Sequence, residues 1–262
     1  MAGLTSLPTR LRRLKRSCAQ RAPALIGIGL FCLAWQLIGS YRLAGLTWPP
    51  LSVVIGYLVD PDHHRLLTRA ASTTLRAVAL GYLIGAGIGL FLALAVRLFR
   101  PARAGIDTFV ALIHVTPAIA LAPVFMILMH RDAIPVAICA LAVTYLIYVA
   151  ATSGLDGAKR HHIDLFAVMG ARPWQRFWLL ERPTALPAIA SGLKLAIPVA
   201  FMGTIVGEWF GAARGLGLLM VSGMQNFQIP MLWAAVLLTT LTSLVLYALM
   251  GLVERAVERR FA

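Results

Sequence analysis

Few residues of this chain are of a type that does chemistry, and they are scattered along it. Five polar or ionisable side chains lie inside or at the edge of long apolar runs: His114, Thr116, Thr144, Tyr145 and Glu208. Ionisable groups inside a membrane usually mark a path for ions or solutes, whereas hydroxyl groups in apolar helices often form hydrogen bonds between helices. We therefore predict that these five residues line a solute pathway, with interhelical hydrogen bonding as the alternative role.

No group of residues has the spacing of a catalytic, metal-binding or phosphate-binding site. The segment from Gly154 to Lys159 lacks the four residues between its glycines, and the Ser or Thr after the lysine, that a phosphate-binding loop needs. The adjacent His161 and His162 would point in different directions on a helix, which makes them poor metal ligands. We therefore expect a protein that is not an enzyme and that binds no metal or cofactor itself.

The elements that must position these residues are membrane helices. The chain has 262 residues, of which 60% are hydrophobic and 13% are charged, whereas soluble domains are about 25% charged. Six apolar runs have the length that a helix needs to cross a bilayer, and none shows the alternation of a membrane β-strand. They cover residues 22–41, 77–96, 105–129, 133–151, 185–207 and 231–252. The sequence thus predicts an all-α integral membrane protein with about six transmembrane helices.

The chain has a net charge of +14, and the positions of its Lys and Arg residues predict how these helices are oriented. Short clusters at alternate ends of the apolar runs, in residues 1–21, 97–104, 152–184 and 253–262, hold 17 of the 24 Lys and Arg residues. Such an asymmetry is typical of cytoplasmic segments, whereas a nucleic-acid binder would carry one continuous basic face with stacking aromatics. We predict a basic cytoplasmic N-terminal segment at 1–21, a transmembrane domain at 22–252 and a basic cytoplasmic tail at 253–262.

Glycine and proline punctuate several of these runs. Gly81, Gly85 and Gly89 are spaced by four, which puts them on one helix face where a neighbouring helix can approach closely. That contact serves either a helix pair that moves or static packing. Pro117 and Pro123 in the third run predict a kink. On the outer side, residues 42–76 and 208–230 are too long for simple loops, and the second is predicted to be interfacial or re-entrant.

The inner segment at 152–184 contains two short amphipathic pieces separated by a break at Gly170 and Pro173. In the first piece, Ile163, Phe166 and Ala167 share a face with Gly170. In the second, an apolar stripe of Trp174, Phe177 and Trp178 lies opposite Gln175, Arg176 and Glu181. Such a hairpin either lies on lipid headgroups, which tryptophan favours, or docks into a groove of a cytoplasmic partner.

The spacing within this hairpin resembles the cytoplasmic "EAA" loop of binding-protein-dependent ABC importer permeases. That loop runs Glu-Ala-Ala, three residues, Gly, nine residues and then Ile-x-Leu-Pro. Gly170 and Pro183 match it in register, while Asp164 stands where Glu is usual and Leu165-Phe166 replaces the two alanines. The resemblance implies that the hairpin contacts an ATPase through residues Asp164, Phe166, Ala167, Gly170, Ala171 and Pro183.

The resemblance extends over about residues 35–252 and points to the nitrate/sulfonate/taurine branch of that family. Trp48-Pro49-Pro50, and Gly207-Glu208 followed by Gly215-Leu-Gly217, are similar to segments of that branch. Met129-His130-Arg131 departs from it, since Trp-Phe-Gly is usual there, so the resemblance does not specify the solute.

The resemblance implies a type I ABC importer permease fold with a cytoplasmic coupling-helix hairpin. It further implies a homodimer in the bacterial inner membrane, with both termini cytoplasmic, that imports a small organic or anionic solute by alternating access. A periplasmic or extracellular binding protein would deliver the solute, and separate ATPase subunits would hold ATP and Mg²⁺.

The alternative is an ion-coupled secondary transporter or a channel that needs no ATPase. Such carriers usually place carboxylates in mid-membrane. Here Glu208 lies at one end of its run, and Lys194, about a third of the way into the same run, either snorkels to the surface or faces other helices. The scarcity of charge in mid-membrane therefore favours the ATP-driven importer.

Overall fold

The structure, a computed structural model, describes the backbone of residues 9–261 and, within them, the side chains of residue 23 and residues 25–261. The predicted basic segment at 1–21 therefore lies outside the described side chains. Over the described backbone the chain is helical and has no β-strand. It divides into two units, residues 1–60 and residues 61–262.

The first unit contains α1, Thr9–Ser40, and α2, Leu51–Val59. The connection between them is bonded back onto α1 within this unit. The indole nitrogen of Trp35 donates to the carbonyl oxygen of Pro49 at 3.1 Å, and the side-chain oxygen of Gln36 accepts from the amide nitrogen of Ser52 at 3.0 Å. The proline-rich segment before α2 is thus held by side chains of the preceding helix.

The second unit contains nine helices joined by short connections. The helices are α3 Pro61–Leu98, α4 Arg103–Val115, α5 Ala118–Leu128, α6 Ala133–Asp156, α7 Arg160–Val168, α8 Pro173–Arg176, α9 Arg182–Gly211, α10 Leu216–Gln225 and α11 Ile229–Phe261. A 3₁₀ turn at Arg100–Ala102 precedes α4, and a π-helical turn at Phe177–Glu181 joins α8 to α9.

Four helical segments within the described residues are long and apolar enough to cross a membrane: α3, α6, α8 through α9, and α11. The pair α4 and α5 makes a fifth if it is counted as one span. The remaining predicted span corresponds to α1, whose described apolar part, Leu25–Ser40, is shorter than these. The all-α membrane fold predicted from the sequence is confirmed.

The third predicted run, residues 105–129, is not one straight helix. Its two halves, α4 and α5, meet at an angle of 94°. A residue before proline disfavours the helical conformation, and Thr116 before Pro117 is extended, with φ −69° and ψ 120°. Pro123 lies inside α5 without ending it. The kink predicted for this run is therefore a full break, and it falls at the first of the two prolines.

Several helices are longer than the apolar runs from which they are predicted. The second half of the predicted outer segment 42–76 belongs to α3, and the predicted tail 253–262 continues α11 as far as Phe261. Apolar residues mark only the part of a helix inside the hydrocarbon layer, while the hydrogen-bonded backbone can extend into water at either end.

The core of the second unit is α6, which packs against both α3 and α9. Cβ atoms built at Gly81, Gly85 and Gly89 would lie 2.6 Å from the Cys139 Cβ, 2.5 Å from the Ala140 oxygen and 2.7 Å from the Thr144 oxygen, respectively. Any larger side chain on this face would push α6 away. The glycine spacing thus brings the backbones of α3 and α6 into direct contact.

Candidate functional site

Helix α7, in the α6–α9 connection, leaves several of its apolar side chains uncovered. None of its residues is buried. Leu165 and Val168 are 54% and 87% exposed, and Met169, just after the helix, is 73% exposed. A small apolar surface on an otherwise charged segment is typical of a site that a partner covers.

The end of α7 is fixed by glycine. Gly170 has φ +68°, a left-handed conformation that glycine adopts without strain. Its amide donates to the Ala167 oxygen at 3.0 Å, and the Ala171 amide donates to the Phe166 oxygen at 2.9 Å, which closes the helix as a Schellman cap does. A Cβ built at Gly170 would meet nothing within 4 Å. Glycine is therefore needed at position 170 for its left-handed conformation, and not because a larger side chain would clash with another part of the chain.

The hairpin is anchored by a buried carboxylate. Glu181, 4% exposed, ends the π-helical turn and accepts two hydrogen bonds of 2.6 Å from the guanidinium of Arg97 on α3. Arg176 on α8 donates a third, at 2.9 Å. Two fork-shaped cations around one carboxylate make a strong, directional connection. Glu181 therefore ties the hairpin to α3 directly before the start of α9.

The second amphipathic piece of the hairpin leaves its apolar stripe exposed and buries one residue of its polar side. Trp174 and Trp178 of the apolar stripe are 68% and 41% exposed, whereas Glu181 on the opposite side is buried. Arg97, whose charge Glu181 needs, is 84 residues away in the sequence, so no local pattern pointed to the pair.

The other predicted loop residues take distinct places. Asp164 and Ala167 are exposed, Phe166 and Ala171 are half-buried, and Pro183 lies in the first turn of α9. The predicted residues from Asp164 to Ala171 thus lie in one short segment, whereas Pro183 follows Glu181, the residue that anchors the hairpin.

Two of the predicted pathway residues line a hollow at the break between α4 and α5. His114 and Thr116 face a space of about 300 Å³ that is closed on the other sides by α6 and α9. The His114 ring stacks on that of Tyr145, with centroids 3.6 Å apart and planes 3° from parallel. The break in the helix therefore opens a space with an aromatic pair at its edge.

Thr144 and Tyr145 line a neighbouring hollow of about 270 Å³ between α3, α4 and α6. The Thr144 hydroxyl lies 2.7 Å from the Ala140 oxygen and 3.2 Å from the Gly85 oxygen on α3. The contact with Gly85 is a hydrogen bond between α6 and α3. Thr144 therefore has the interhelical role that was the alternative to lining a solute pathway.

Glu208 lies apart from these hollows, near the end of α9. It is 1% exposed, and it accepts hydrogen bonds of 2.7 Å from the Thr74 hydroxyl and from the Gly217 amide. Thr74 in turn accepts from the Leu216 amide at 2.9 Å. A Cβ at Gly215 would lie 2.3 Å from the Glu208 carboxyl carbon. The structure thus uses Glu208 to fasten the start of α10 to α9 and α3.

The comparisons with known proteins agree with this architecture. The family model for a binding-protein-dependent transport system inner membrane component matches residues 85–262. A probable ABC transporter permease protein of Haemophilus influenzae is 30% identical over 86% of this chain and 91% of its own length. The formylaminopyrimidine transport permease protein ThiX of Halalkalibacterium halodurans is 28% identical over 90% and 94% of the two chains. A putative aliphatic sulfonates transport permease protein, SsuC of Bacillus subtilis, is 23% identical over 84% and 81%.

A solved structure has the same fold. The inward-facing MetNI methionine ABC transporter contains a chain that is 20% identical to this one, with a TM-score of 0.63 over 76% of this chain and 99% of the other. The matched family model covers more than half of the sequence, including the hairpin and the Glu208 region. This chain therefore belongs to the family of binding-protein-dependent transport system inner membrane components, the permease subunits of ABC importers.

Proposed function

We propose that α7 is the element through which this permease subunit contacts a cytoplasmic ATPase subunit. Two copies of the chain would form the solute path across the bacterial inner membrane, with both termini in the cytoplasm. An external binding protein would deliver a small organic solute, since the relatives named above for a solute carry formylaminopyrimidine or aliphatic sulfonates. ATP and Mg²⁺ would bind the partner, and this chain would have no ATPase site of its own.

The observation that carries the proposal is the exposed apolar surface of α7 at the tip of an anchored hairpin. Leu165, Val168 and Met169 gain most from being covered, because each buried methylene stabilises a complex by about 0.8 kcal/mol. Basic clusters on both sides of the hairpin, in residues 97–104 and 152–184, favour the cytoplasmic side for it.

The contacts of Glu181 supply a route for the mechanical step. When two ATPase subunits close on ATP, they would displace α7. Arg97 and Arg176 would then carry that displacement to α3 and α9 through the buried carboxylate. The packed unit of α3, α6 and α9 would tilt as one body, which is the usual form of alternating access.

One observation speaks against the ion-coupled alternative. Lys194, the one lysine inside a predicted span, is bound at 2.7 Å to Glu254 of α11, which also accepts from the Ser191 hydroxyl at 2.6 Å. A charge held in a compensated pair is a poor site for a transported ion, because that ion would have to displace a full partner.

The test is co-purification of the ATPase from native cells in mild detergent, with two substitutions at one position. Gly170→Val strains the left-handed backbone and should lower the amount of co-purified ATPase about tenfold, whereas Gly170→Asn tolerates that conformation and should retain it. Val168→Glu, which leaves the backbone alone and charges the exposed surface, should lose the ATPase as well.

Equal membrane insertion of all three variants, measured by their yield in the membrane fraction, is the control. If the wild-type protein co-purifies with no ATPase, or if Gly170→Val and Val168→Glu retain it fully, α7 is not the contact.

A further inference from the structure

A second hollow lies on the far side of α9 from the α4–α5 break. It occupies about 640 Å³ between α9 and α11. Met202 and Val206 line both this hollow and the one at His114. We call them the α9–α11 hollow and the α4–α5 hollow. Because Met202 and Val206 border both hollows, the two hollows together form one surface along α9 that a transported solute can contact.

The surface carries no formal charge. None of the side chains that line these two hollows, all within the described part of the chain, belongs to Asp, Glu, Lys or Arg. Lys194 lies over the Tyr247 ring at 4.9 Å, but its charge is paired with Glu254. An anion leaving water would find no compensating cation here, and an unpaired buried charge costs several kcal/mol.

Three threonine hydroxyls on this surface have already committed their protons. Thr116 donates to the Leu112 oxygen at 2.9 Å, Thr239 to the Ala235 oxygen at 2.8 Å and Thr240 to the Val236 oxygen at 2.9 Å. What remains on each oxygen is a lone pair, so these groups can accept but have no second proton to give. The threonines therefore suit a solute that brings donors, whereas Trp209, Ser243 and Tyr247, which also line the α9–α11 hollow, can donate to acceptors of that solute.

The edge of the α4–α5 hollow adds an aromatic element. Tyr145 supports one face of the His114 ring, and His114 itself is exposed, so its outer face is open. A planar ring can continue this stack, and aromatic pairs contribute about 0.5–1.5 kcal/mol beyond the area they bury.

Resting on the function proposed above, we infer that the transported solute is an uncharged, planar heterocycle that carries N–H donors. In the α4–α5 hollow its ring stacks on His114 and a donor meets the lone pair of Thr116. In the α9–α11 hollow, which it occupies at another step, its donors meet the lone pairs of Thr239 and Thr240. The rival occupant is a small anion at the start of α5, which also borders the α4–α5 hollow through Ala118.

Uptake into cells that lack this chain, complemented with wild-type or variant protein, tests the inference. The radiolabelled probes are an uncharged aminopyrimidine, an alkanesulfonate and bicarbonate, and we expect chain-dependent uptake of the aminopyrimidine alone. Thr116→Val and Thr240→Val each remove one acceptor and should slow that uptake about fivefold, the loss of one hydrogen bond. Thr116→Ser keeps the acceptor and should restore the rate.

Thr108→Val is the matched control. Its hydroxyl makes the same bond to a carbonyl one turn earlier on α4, at 2.8 Å, and it does not line either hollow. Chain-dependent uptake of the sulfonate or bicarbonate, no chain-dependent uptake of the aminopyrimidine, or an equal effect of Thr116→Val and Thr108→Val would each overturn the inference. Co-purified ATPase from the same cells separates the two failures, because its presence leaves the proposed function standing while the solute class falls.

Discussion

The two ends of α9 are held by the same residue type in opposite ways. Just before the helix, Glu181 is buried between the guanidinium groups of Arg97 and Arg176, which keep 21% and 31% of their side chains exposed. Near the other end, Glu208 is buried among a hydroxyl, a backbone amide and two glycines, with no cation on its oxygens.

The hairpin end of α9, held by Glu181, can adjust its contacts, and we call it the joint. The end held by Glu208 cannot, and we call it the fixed point. Long arginine side chains can follow a carboxylate as it moves, because their rotatable bonds let the guanidinium keep its hydrogen bonds while part of each side chain remains in water. The Glu208 contacts depend on backbone atoms within a few tenths of an ångström, so they hold in one geometry. The hairpin end is thus suited to transmit motion, and the Glu208 end to keep α10, α9 and α3 together.

The most damaging change should be at the fixed point. Gly215→Ala would place a Cβ 2.3 Å from the Glu208 carboxyl carbon, at a residue whose φ of 147° side chains rarely adopt. We expect it to lower the free energy of unfolding by about 4 kcal/mol, through overpacking and backbone strain together. Unfolding in mixed detergent–SDS micelles, followed by circular dichroism, measures the loss. Gly87→Ala, where a Cβ would meet nothing within 4 Å, should cost almost nothing. Equal losses would show that the Glu208 end is not close-packed.

The joint should tolerate more. Arg97→Met keeps the apolar stem of the side chain but leaves Glu181 with Arg176 alone, and we expect a loss of about 2–3 kcal/mol in the same measurement. Replacing both partners, Arg97→Met with Glu181→Met, should recover most of that stability, because the buried carboxylate is gone and Arg176, 31% exposed, can reach water. The double variant should still lose uptake, since the connection to α3 is gone.

An exposed ion pair serves as the control for Arg97→Met. Arg103 on α4 bonds Asp156 of α6 at 2.5 Å, but the two side chains are 43% and 47% exposed. Solvent screens such a pair, so Arg103→Gln should cost less than about 1 kcal/mol. A loss as large as that of Arg97→Met would contradict the assignment of Glu181 as the anchor.

Among the changes at the two ends of α9, the smallest effect should come from Glu208→Gln. The amide oxygen of glutamine can still accept from Gly217, but its NH₂ group would face the Thr74 hydroxyl, whose proton then lacks its acceptor. We expect a loss of about 1–2 kcal/mol, the cost of one unsatisfied buried donor. Thr74→Val, which removes the opposed hydroxyl, should make the further change Glu208→Gln less costly. If the two losses simply add, Thr74 and Glu208 do not act together.

Much of the fold could be predicted because its signals are local. Runs of apolar residues gave the membrane helices, and the spacing of Gly81, Gly85 and Gly89 indicated a close contact on one face of α3. The hairpin followed from Gly170 and its neighbours, because a helix cap is a matter of consecutive residues.

The contacts that could not be predicted join distant parts of the sequence. Thr74 and Glu208 are 134 residues apart, and only the packing of α3 against α9 brings them together. Glu208 belongs to a family-like segment, but nothing in the sequence marks it as half of a pair with Thr74. Likewise, the break at Pro117 and the unbroken course of α5 at Pro123 differ by tertiary context, since both residues impose the same local restriction.

The π-helical turn at Phe177–Glu181 has a consequence for how such hairpins can change. It holds one residue more than an ordinary turn, and in an α-helix each residue adds a rotation of about 100°. The extra residue therefore rotates α8, and the connected α7, relative to α9 from the position that a continuous α-helix would give them. Losing or gaining a residue at this turn would re-aim the partner-facing surface around the axis of α9 while leaving the membrane core as it is.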